Sequence, residues 1–490
     1  MSSVFNPVKI KLPSGHFIGG RYVEADASAA KIEVISPSTG QTVGSIPCAD
    51  AAWVDHAVCD ARAALVRSGW GGIAPRDRLK ALHKWADLIE ENAETLALLE
   101  AVCSSRPVAD ARAGDVCVTA EQIRFFAEFA DKEGGNLVPV ADGHFGYIAD
   151  APYGVVGAIT PWNFPISMAG WKLGPALAAG NAVVIKPSEM TPYSTLYMAE
   201  LSVQAGIPAG LINVVLGDGP VTGTALTGHP GIDKVSFTGS TRAGGAIMEN
   251  IARTGIKPMT LELGGKSPMV VFADADIDLA AECLDRGIMP NAGQFCVAGS
   301  RMIVAREIAD ELAAKLAERF KRYRPANTLA EKAGFSPIIS EKQLSRIDGI
   351  VRASIDAGGH ILCGGERFDC EGSYYQPTLI GAVDENNPAV RDEIFGPVAT
   401  FQTFETEEEA MELACHATYG LCAGLFTRDL SRALRLTRQL EAGTVWVNRY
   451  GRSRDHILPT GGWKASGIGK DLGQEAYRAN RRTKSVLIDL

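Results

Sequence analysis

The sequence predicts an α/β protein with two domains, each built on a largely parallel sheet. The chain has 490 residues, which is more than one hydrophobic core usually supports. From residue 153, short β-branched runs alternate with helical stretches of roughly ten to fifteen residues, a pattern typical of βαβ units. A second block with the same alternation begins at Pro268. These three observations together predict the fold class.

The predicted elements follow one another along the chain. Residues 53–132 are helical, and the stretch 78–92 repeats apolar residues at intervals of three and four. The first sheet comes next, with strands predicted at residues 154–159, 181–185, 211–216 and 234–237. The second block supplies a helix that begins near Ile277 and strands at residues 268–272 and 443–448.

Two strand-like segments stand outside these blocks. Residues 133–151 form a polar, glycine-marked stretch that alternates around Tyr147, and the chain ends in a strand-like segment from Lys484. Neither segment has an obvious local partner. We therefore expect the two to pair with each other or with another subunit.

The composition narrows the classes of function. With 46% hydrophobic and 21% charged residues, the chain is typical of globular proteins, and a net charge of −9 gives no reason to expect nucleic acid or an anionic membrane as partner. The ten cysteines include no CxxC pair and no spacing typical of zinc ligands, so no metal is expected. No secretory signal and no apolar run of about 18 residues is found. We expect reduced thiols and a cytoplasmic location.

A cysteine and a glutamate, each in a glycine-rich turn, carry the clearest chemical signal. Asn-Ala-Gly-Gln-Phe-Cys places Cys296 behind a glycine, and Thr-Leu-Glu-Leu-Gly-Gly-Lys offers Glu262. A nucleophile with a candidate base indicates covalent catalysis by a thiolate. In Pro-Trp-Asn-Phe-Pro, two prolines fix a turn that presents Asn163, whose amide suits a developing oxyanion. An Asx turn that caps local backbone is the structural alternative.

Nucleotide binding is indicated more weakly, because the GxGxxG fingerprint is absent. Phe-Thr-Gly-Ser-Thr-Arg-Ala-Gly follows a predicted strand and precedes a helix. There Gly239 and Gly244 would let the backbone approach a pyrophosphate, and Ser240 can donate at the helix N-terminus. Lys186 and Glu189 lie just past another strand end, where they can hold a ribose. Taken alone, each segment fits an ordinary loop as well.

Seven motifs in this order resemble those of the aldehyde dehydrogenase superfamily, and the resemblance covers nearly the whole chain. The motifs are PWNFP (161–165), KPSE (186–189), FTGSTxxG (237–244), LELGGK (261–266), GQxCxAGSR (293–301), EIFGPV (393–398) and GGxKxSGxG (461–469). The resemblance implies a modified Rossmann NAD-binding domain that lacks GxGxxG, a second α/β catalytic domain and a small β oligomerisation arm. The corresponding ranges are 1–132 with 152–262, then 263–464, and 133–151 with 465–490.

The resemblance implies a role for each catalytic candidate. Cys296 would add to the aldehyde carbonyl, giving a thiohemiacetal and, after hydride transfer, a thioester. Asn163 and the Cys296 backbone N–H would stabilise the oxyanion. Glu262 would activate water and release a free acid, since family members that transfer the acyl group to coenzyme A usually lack this glutamate.

The resemblance also implies cofactor contacts. Their residues are Trp162, Lys186, Glu189, Gly239, Ser240, Gly244, Gln343, Glu393 and Phe395. Lys186 and Glu189 would hold the adenosine ribose, whereas Glu393 and Phe395 would position the nicotinamide end. The carboxylate of Glu189 would repel a 2′-phosphate, so NAD is favoured and NADP is the alternative.

The substrate region gives two indications that differ. Phe164, Trp171 and Phe295 would line a tunnel for an apolar or aromatic aldehyde. The stretch 448–456 carries more charge than many relatives do, with Arg449, Arg452 and Arg454. These arginines either meet the carboxylate of a semialdehyde or face solvent or another subunit.

The leading hypothesis is an acid-forming, NAD-dependent aldehyde dehydrogenase that acts as a homodimer or homotetramer. Its partner would be a small-molecule aldehyde, with no nucleic acid and no membrane involved. Two alternatives stay open: a catalytically silent family member with a structural or binding role, and a coenzyme A-acylating dehydrogenase.

Overall fold

A computed structural model of the chain describes residues 11–25, 30–330, 332, 334–451 and 456–490. Within these residues the strands are β1 (His16–Ile18), β2 (Arg21–Val23), β3 (Lys31–Ile35), β4 (Thr42–Pro47), β5 (Asn136–Val138), β6 (His144–Pro152), β7 (Val155–Ile159), β8 (Ala182–Lys186), β9 (Ile212–Val214), β10 (Lys234–Thr238), β11 (Met259–Glu262), β12 (Pro268–Val271), β13 (Arg301–Ala305), β14 (His360–Cys363), β15 (Thr378–Gly381), β16 (Val398–Phe404), β17 (Tyr419–Gly420), β18 (Cys422–Phe426), β19 (Thr444–Val447), β20 (Trp463–Lys464), β21 (Gly467–Ile468) and β22 (Arg481–Asp489).

The α-helices of the same residues are α1 (Ala51–Ser68), α2 (Pro75–Glu91), α3 (Ala93–Ala101), α4 (Val108–Asp110), α5 (Cys117–Glu128), α6 (Pro165–Ala178), α7 (Tyr193–Gln204), α8 (Thr224–Gly228), α9 (Thr241–Thr254), α10 (Ile277–Ile288), α11 (Arg306–Phe320), α12 (Glu341–Asp356), α13 (Pro388–Arg391), α14 (Glu407–Ala414), α15 (Leu430–Leu436) and α16 (Gly473–Arg478). A π-helical turn, Ala111–Val116, joins α4 to α5.

The first sheet has eight strands in the order β2-β1-β9-β8-β7-β10-β11-β21. Its five central strands, from β9 to β11, run parallel, and the flanking strands pair antiparallel. Strands β7, β8 and β10 are buried along their whole length, which explains their continuous apolar runs. All four strands predicted for this sheet are confirmed. The order reverses between β7 and β10, which is where open α/β sheets bind ligands.

The second sheet has the order β14-β15-β16-β13-β12-β18-β19. All neighbours run parallel except β14 and β15. The predicted strands at residues 268–272 and 443–448 are confirmed as β12 and β19, and the predicted helix near Ile277 is α10. The α/β class with two largely parallel sheets is therefore confirmed.

The predicted arm is smaller than the sequence suggested. Strand β22 pairs with β6 of the same chain over nine residues, from Arg481 opposite Pro152 to Asp489 opposite His144, and β5 completes the sheet. Residues 465–480, which the prediction assigned to the arm, return to the first domain. There β21 pairs with β11, and α16 buries Ala476 and Tyr477 in the first core.

The carboxyl ends of the first sheet's strands face the amino ends of the second sheet's strands, and the sequence motifs lie at these two edges. The PWNFP, KPSE and FTGST motifs begin at the carboxyl ends of β7, β8 and β10, and Glu262 ends β11. Residues 263–267 then cross directly to β12. In the second sheet, the GQxC and EIFGP motifs lie just before the amino ends of β13 and β16. A cleft between these two edges therefore collects the predicted site.

Two negative findings apply to the described part of the chain. No helix there combines the length and the apolar character that crossing a membrane requires. The same residues contain no group of three or more His, Cys, Asp or Glu side chains arranged to hold a metal ion.

Candidate active site

The cleft contains a cavity of about 1100 Å³ that all three catalytic candidates line. Asn163 comes from the turn after β7, Glu262 from the end of β11, and Cys296 from the loop before β13. The cavity also reaches Ser240, Gln343, Glu393 and Phe395 on one side and Phe164, Trp171 and Phe295 on the other. Residues separated by more than 230 positions in the sequence thus share one space.

The backbone before Cys296 is held in an uncommon conformation. Asn291, Ala292 and Gly293 have φ values of 50°, 50° and 71°, all in the left-handed region. A Cβ on Gly293 would overlap the carbonyl oxygen of Gly396 in the EIFGPV motif, so this position needs glycine. Backbone strain of this kind persists only where the surroundings enforce it.

The side chain of Gln294 holds this backbone in place, a role that was not predicted from the sequence. Its buried side chain donates to the carbonyls of Asn291 and Pro337, at 2.9 Å each, and accepts from the N–H of Ile339 at 2.9 Å. One amide thereby fastens the cysteine loop to the segment that leads into α12. The glutamine of the GQxC motif was the available sequence signal.

Two further contacts hold the backbone at Cys296 itself. A Cβ on Gly265 would lie 2.6 Å from the Cys296 carbonyl oxygen, so the LELGGK motif packs directly against the nucleophile. The Tyr450 hydroxyl donates to the Val297 carbonyl at 2.8 Å. Trp446 lies beside Tyr450, with ring centroids 4.8 Å apart. The thiol therefore stands on a backbone that is fixed from two sides.

Two hydrogen bonds tie Asn163 to the cysteine loop. The side-chain Nδ2 of Asn163 donates to the Gln294 backbone carbonyl at 3.0 Å, and the backbone carbonyl of Asn163 accepts from Asn291 Nδ2 at 3.0 Å. An amide nitrogen carries two hydrogens, and Gln294 takes one of them. The second hydrogen can be donated to a ligand in the cavity that Asn163 lines.

Buried charges hold the turn that carries Asn163. The Arg106 guanidinium lies 4.7 Å from the centroid of the Phe164 ring and binds the Asp115 carboxylate through two contacts of 2.7 and 3.2 Å. The Glu100 carboxyl accepts from the Ile166 N–H in the first turn of α6. Burial raises the pKa of Glu100 to about 8, so it carries a proton at neutral pH. Neither acid was identified from the sequence.

Glu262 is buried at the junction of the two domains, with 5% of its surface exposed. Its Oε1 would lie 2.9 Å from a Cβ on Gly461, whose φ is 153°. The first glycine of the closing GGxKxSGxG motif therefore leaves space for the carboxylate. Its backbone carbonyl accepts from the Gly239 N–H at 3.0 Å, which links it to the FTGST turn.

The FTGST turn offers a cradle for phosphate. Ser240 caps α9 by accepting from the Ala243 N–H, and residues 238–242 line the cavity. Thr238 Oγ1 is buried without a hydrogen-bond partner in the described residues. An open helix N-terminus with an unpartnered hydroxyl fits an anion. Gly244 lies outside the cavity wall, where a Cβ would meet Leu263 at 2.7 Å, so its structural role is close packing of α9.

Lys186 and Glu189, the two residues predicted to hold a ribose, differ in how deeply they are buried. Lys186 is buried, and its Nζ donates to the carbonyls of Pro187 and Gly217 at 3.0 and 2.6 Å. Burial lowers its pKa. Glu189 lies 3.5 Å from Nζ and reaches the cavity with 34% of its side chain exposed. Of the two, Glu189 lines the cavity, and Lys186 lies behind it.

The EIFGPV loop is fixed by α12. Phe395 has a φ of 57°, and its ring stands edge-on to Trp162 with centroids 5.2 Å apart. Gln343 donates to the carbonyls of residues 394 and 395 at 3.1 and 3.0 Å, and Arg346 donates to those of residues 393 and 394. The Glu393 carboxylate accepts from the Gly265 N–H at 3.0 Å. Burial raises its pKa.

The substrate side is mainly aromatic and apolar. Its lining includes the predicted residues Phe164, Trp171 and Phe295, joined by Met168, Trp446 and Leu458, which the sequence analysis missed. Arg449 is exposed, donates to the Gly451 carbonyl and is not part of the cavity lining. Arg452 and Arg454 lie outside the described residues.

Comparison with known proteins shows the family of the chain. A sequence model described as "Aldehyde dehydrogenase family" matches residues 22–486. An aldehyde dehydrogenase of Aspergillus niger is 42% identical over 481 residues, which cover 98% of this chain and 96% of the relative. A crystal structure of an indole-3-acetaldehyde dehydrogenase complexed with NAD+ is 38% identical with a TM-score of 0.96, covering 99% of this chain and 98% of that one. The structure of gamma-glutamyl-gamma-aminobutyraldehyde dehydrogenase from Burkholderia cenocepacia is 39% identical with a TM-score of 0.95 and the same coverage. The chain belongs to the aldehyde dehydrogenase family.

Proposed function

We propose that this enzyme oxidises an aldehyde to the free carboxylic acid with NAD, through a covalent adduct on Cys296. The observation that carries the proposal is the single cavity that contains Cys296, Glu262 and Asn163 and continues to the FTGST cradle. The Cys296 sulfur adds to the carbonyl, and the Asn163 amide and the Cys296 N–H donate to the oxyanion of the thiohemiacetal. A bound nicotinamide supplies the hydride acceptor. Glu262 then takes a proton from the water that hydrolyses the thioester.

The residues of the cleft support NAD over NADP. Glu189 presents a carboxylate at the ribose position, where a 2′-phosphate would meet like charge. Ser240, Glu393 and Phe395 stand along the remaining length of a dinucleotide. The solved indole-3-acetaldehyde dehydrogenase carries NAD+, which supports the same assignment. A higher kcat/KM with NADP at saturating aldehyde would contradict it.

Substitution of the thiol tests the mechanism. We expect Cys296→Ala to lower NADH formation by about 10³-fold or more, because the covalent route is lost. Binding of NAD, followed by quenching of tryptophan fluorescence, should be unchanged. Cys59→Ala, which alters an exposed cysteine on α1, is the matched control and should oxidise aldehydes normally. Turnover that survives in Cys296→Ala would contradict the nucleophile assignment.

Glu262 supports water as the acyl acceptor rather than coenzyme A. A buried carboxylate in the same cavity as Cys296 can take a proton from the water that attacks the thioester, a step that transfer to coenzyme A does not need. Acyl-CoA formation that outruns acid formation would reverse this part of the proposal. Absence of NADH from every aldehyde in a broad panel would instead favour a silent family member, although the intact Cys296, Glu262 and Asn163 argue against that role.

The cavity wall supports an apolar or aromatic aldehyde. Phe164, Trp171, Phe295 and Trp446 line the cavity, whose wall also includes Arg286 and His456. Arg449 lies outside it and donates to a backbone carbonyl at the surface. We further propose a cytoplasmic homo-oligomer assembled through the sheet of β5, β6 and β22. The long edge of β22 supports this assembly, because an unpaired edge strand accepts another chain.

A further inference from the structure

The wall of the cavity contains a buried side-chain amide whose oxygen has no hydrogen-bond partner among the described residues. Gln122 lies on α5, lines the cavity and is 2% exposed. Its Oε1 has no hydrogen-bond partner in the described part of the chain. Buried polar atoms are nearly always paired, because an unpaired acceptor forfeits its hydration without compensation. An unpaired acceptor on the wall of a binding cavity therefore indicates a partner that arrives with the ligand.

The residues around Gln122 leave space for its amide and supply no hydrogen-bond donor to its Oε1 among the described residues. A Cβ on Gly170 of α6 would lie 3.3 Å from Oε1 and 2.9 Å from Thr119 Cγ2, so glycine makes the space that the amide needs. Two nearby donors are already committed: the Thr119 hydroxyl donates to the Asp115 carbonyl at 2.7 Å, and Arg106 binds the Asp115 carboxylate.

The position of Gln122 beside α6 suggests the length of the ligand. Phe164, next to Asn163, is the N-cap of α6, and Gly170, beside the Gln122 amide, follows six residues later. At 1.5 Å per residue, the two positions are separated by about 9 Å along the helix. For a ligand that lies along α6 with its aldehyde carbon near Phe164, a hydrogen bond takes about 2.8 Å of this, which leaves about 6 Å between that carbon and the donor. One aromatic ring with a single atom on either side spans that length, and Phe164, Trp171 and Phe295 line the same cavity.

We propose that Gln122 accepts a hydrogen bond from the far end of the substrate, which is an aromatic aldehyde carrying a hydroxyl or N–H group. This inference rests on the proposed function, since it assumes that the aldehyde carbon is held at Cys296. Gln122 is then the residue that selects substituted over unsubstituted aromatic aldehydes. Sites built around such a bond discriminate strongly, because the substrate that lacks the donor leaves the buried acceptor unpaired.

The test compares three aldehydes that differ at one position. They are 4-hydroxyphenylacetaldehyde, which donates, 4-methoxyphenylacetaldehyde, which only accepts, and phenylacetaldehyde, which does neither. The wild type should prefer the hydroxylated substrate over the other two by about tenfold or more in kcat/KM. In Gln122→Met, which keeps the length without the acceptor, this preference should fall to about twofold or less. Gln204→Met, an exposed amide at the end of α7, is the matched control and should keep the preference.

Each departure from this pattern has a defined meaning. Equal use of all three aldehydes by the wild type overturns the inference while leaving the proposed function standing. A preference for the methoxy compound shows that the amide presents its N–H and also overturns the inference. Loss of activity toward propanal in Gln122→Met would show general damage, so the ratio between substrates is the deciding quantity.

A binding measurement separates the inference from turnover. Calorimetric titration of wild type and Gln122→Met with 4-hydroxyphenylacetate and with phenylacetate needs no oxidation. Tighter binding of the hydroxylated acid by wild type alone supports the role of Gln122, even if no aldehyde were oxidised and the proposed function failed. Equal binding of both acids contradicts it.

Discussion

In the proposed mechanism, Glu262 acts after the thioester has formed, in its hydrolysis. We expect Glu262→Gln to form the thioester and then stall, because the amide cannot take a proton from water. The measurement is a stopped-flow record of NADH, with a burst close to one equivalent per site. A steady rate about 10² to 10⁴-fold below that of the wild type should follow.

The control for this prediction is Glu249→Gln, an exposed glutamate on α9. It should show the wild-type steady rate. A Glu262→Gln enzyme without a burst but with a slow steady rate would place Glu262 in thiol activation rather than hydrolysis. A wild-type steady rate would remove it from the mechanism.

At the scale of single residues, the sequence predicted three candidate catalytic groups that share one cavity, but not the residues that hold them. Cys296, Glu262 and Asn163 stand in recognisable motifs, and all three line one cavity. Gln294 and Gly461 stand in two of the motifs, but their contacts are with residues far away in the sequence, which a local pattern does not predict. The side chain of Gln294 reaches residues 337 and 339, and Gly461 matters because a carboxylate nearly 200 positions earlier needs its space.

Among the elements, helix α6 follows directly on the turn that carries Asn163, and a proton on Glu100 stabilises the first turn of this helix. Burial raises the pKa of Glu100 from its ordinary 4.5 to about 8. The folded protein therefore keeps a proton that the unfolded chain releases near pH 4.5. The stabilisation from Glu100 is complete below that pH and is lost as the pH rises through about 8.

We expect Glu100→Gln to weaken this pH dependence, because the amide accepts from the Ile166 N–H without ionising. The Tm of the wild type should fall more between pH 5.5 and pH 8.5 than the Tm of the variant does. Glu128→Gln, an exposed glutamate on α5, should follow the wild type. Parallel Tm curves for Glu100→Gln and wild type would show that Glu100 is not the titrating group.

The elements also show where prediction from sequence ends. Strands β7, β8 and β10 were found because buried parallel strands read as apolar runs. The role of Gln343 was expected as a ribose contact, and the structure places its amide on the carbonyls of residues 394 and 395. Those bonds support the left-handed Phe395, a conformation that residue type alone does not indicate.

At the scale of the whole molecule, the domain boundary near residue 465 depended on tertiary packing. The last 26 residues were expected to form one arm, yet β21 and α16 return to the first domain before β22 leaves it. Strand β21 has only two residues, Gly467 and Ile468. A two-residue strand leaves no periodicity to read, so only the fold identifies its partner.

The sheet of β5, β6 and β22 predicts how the chain assembles. Strand β22 exposes Leu487 and Ile488 by 63% and 42% on an edge of nine residues, a surface that a monomer rarely leaves uncovered. We expect light scattering to give the wild type a mass that is a multiple of 52.0 kDa. The double variant Leu487→Lys/Ile488→Lys should shift this mass toward that of a single chain, because two buried charges oppose strand pairing.

The control variant Leu430→Lys/Leu434→Lys changes a similarly exposed apolar pair on α15 and should leave the mass unchanged. A wild-type monomer, or dissociation by the α15 variant alone, would place the interface elsewhere.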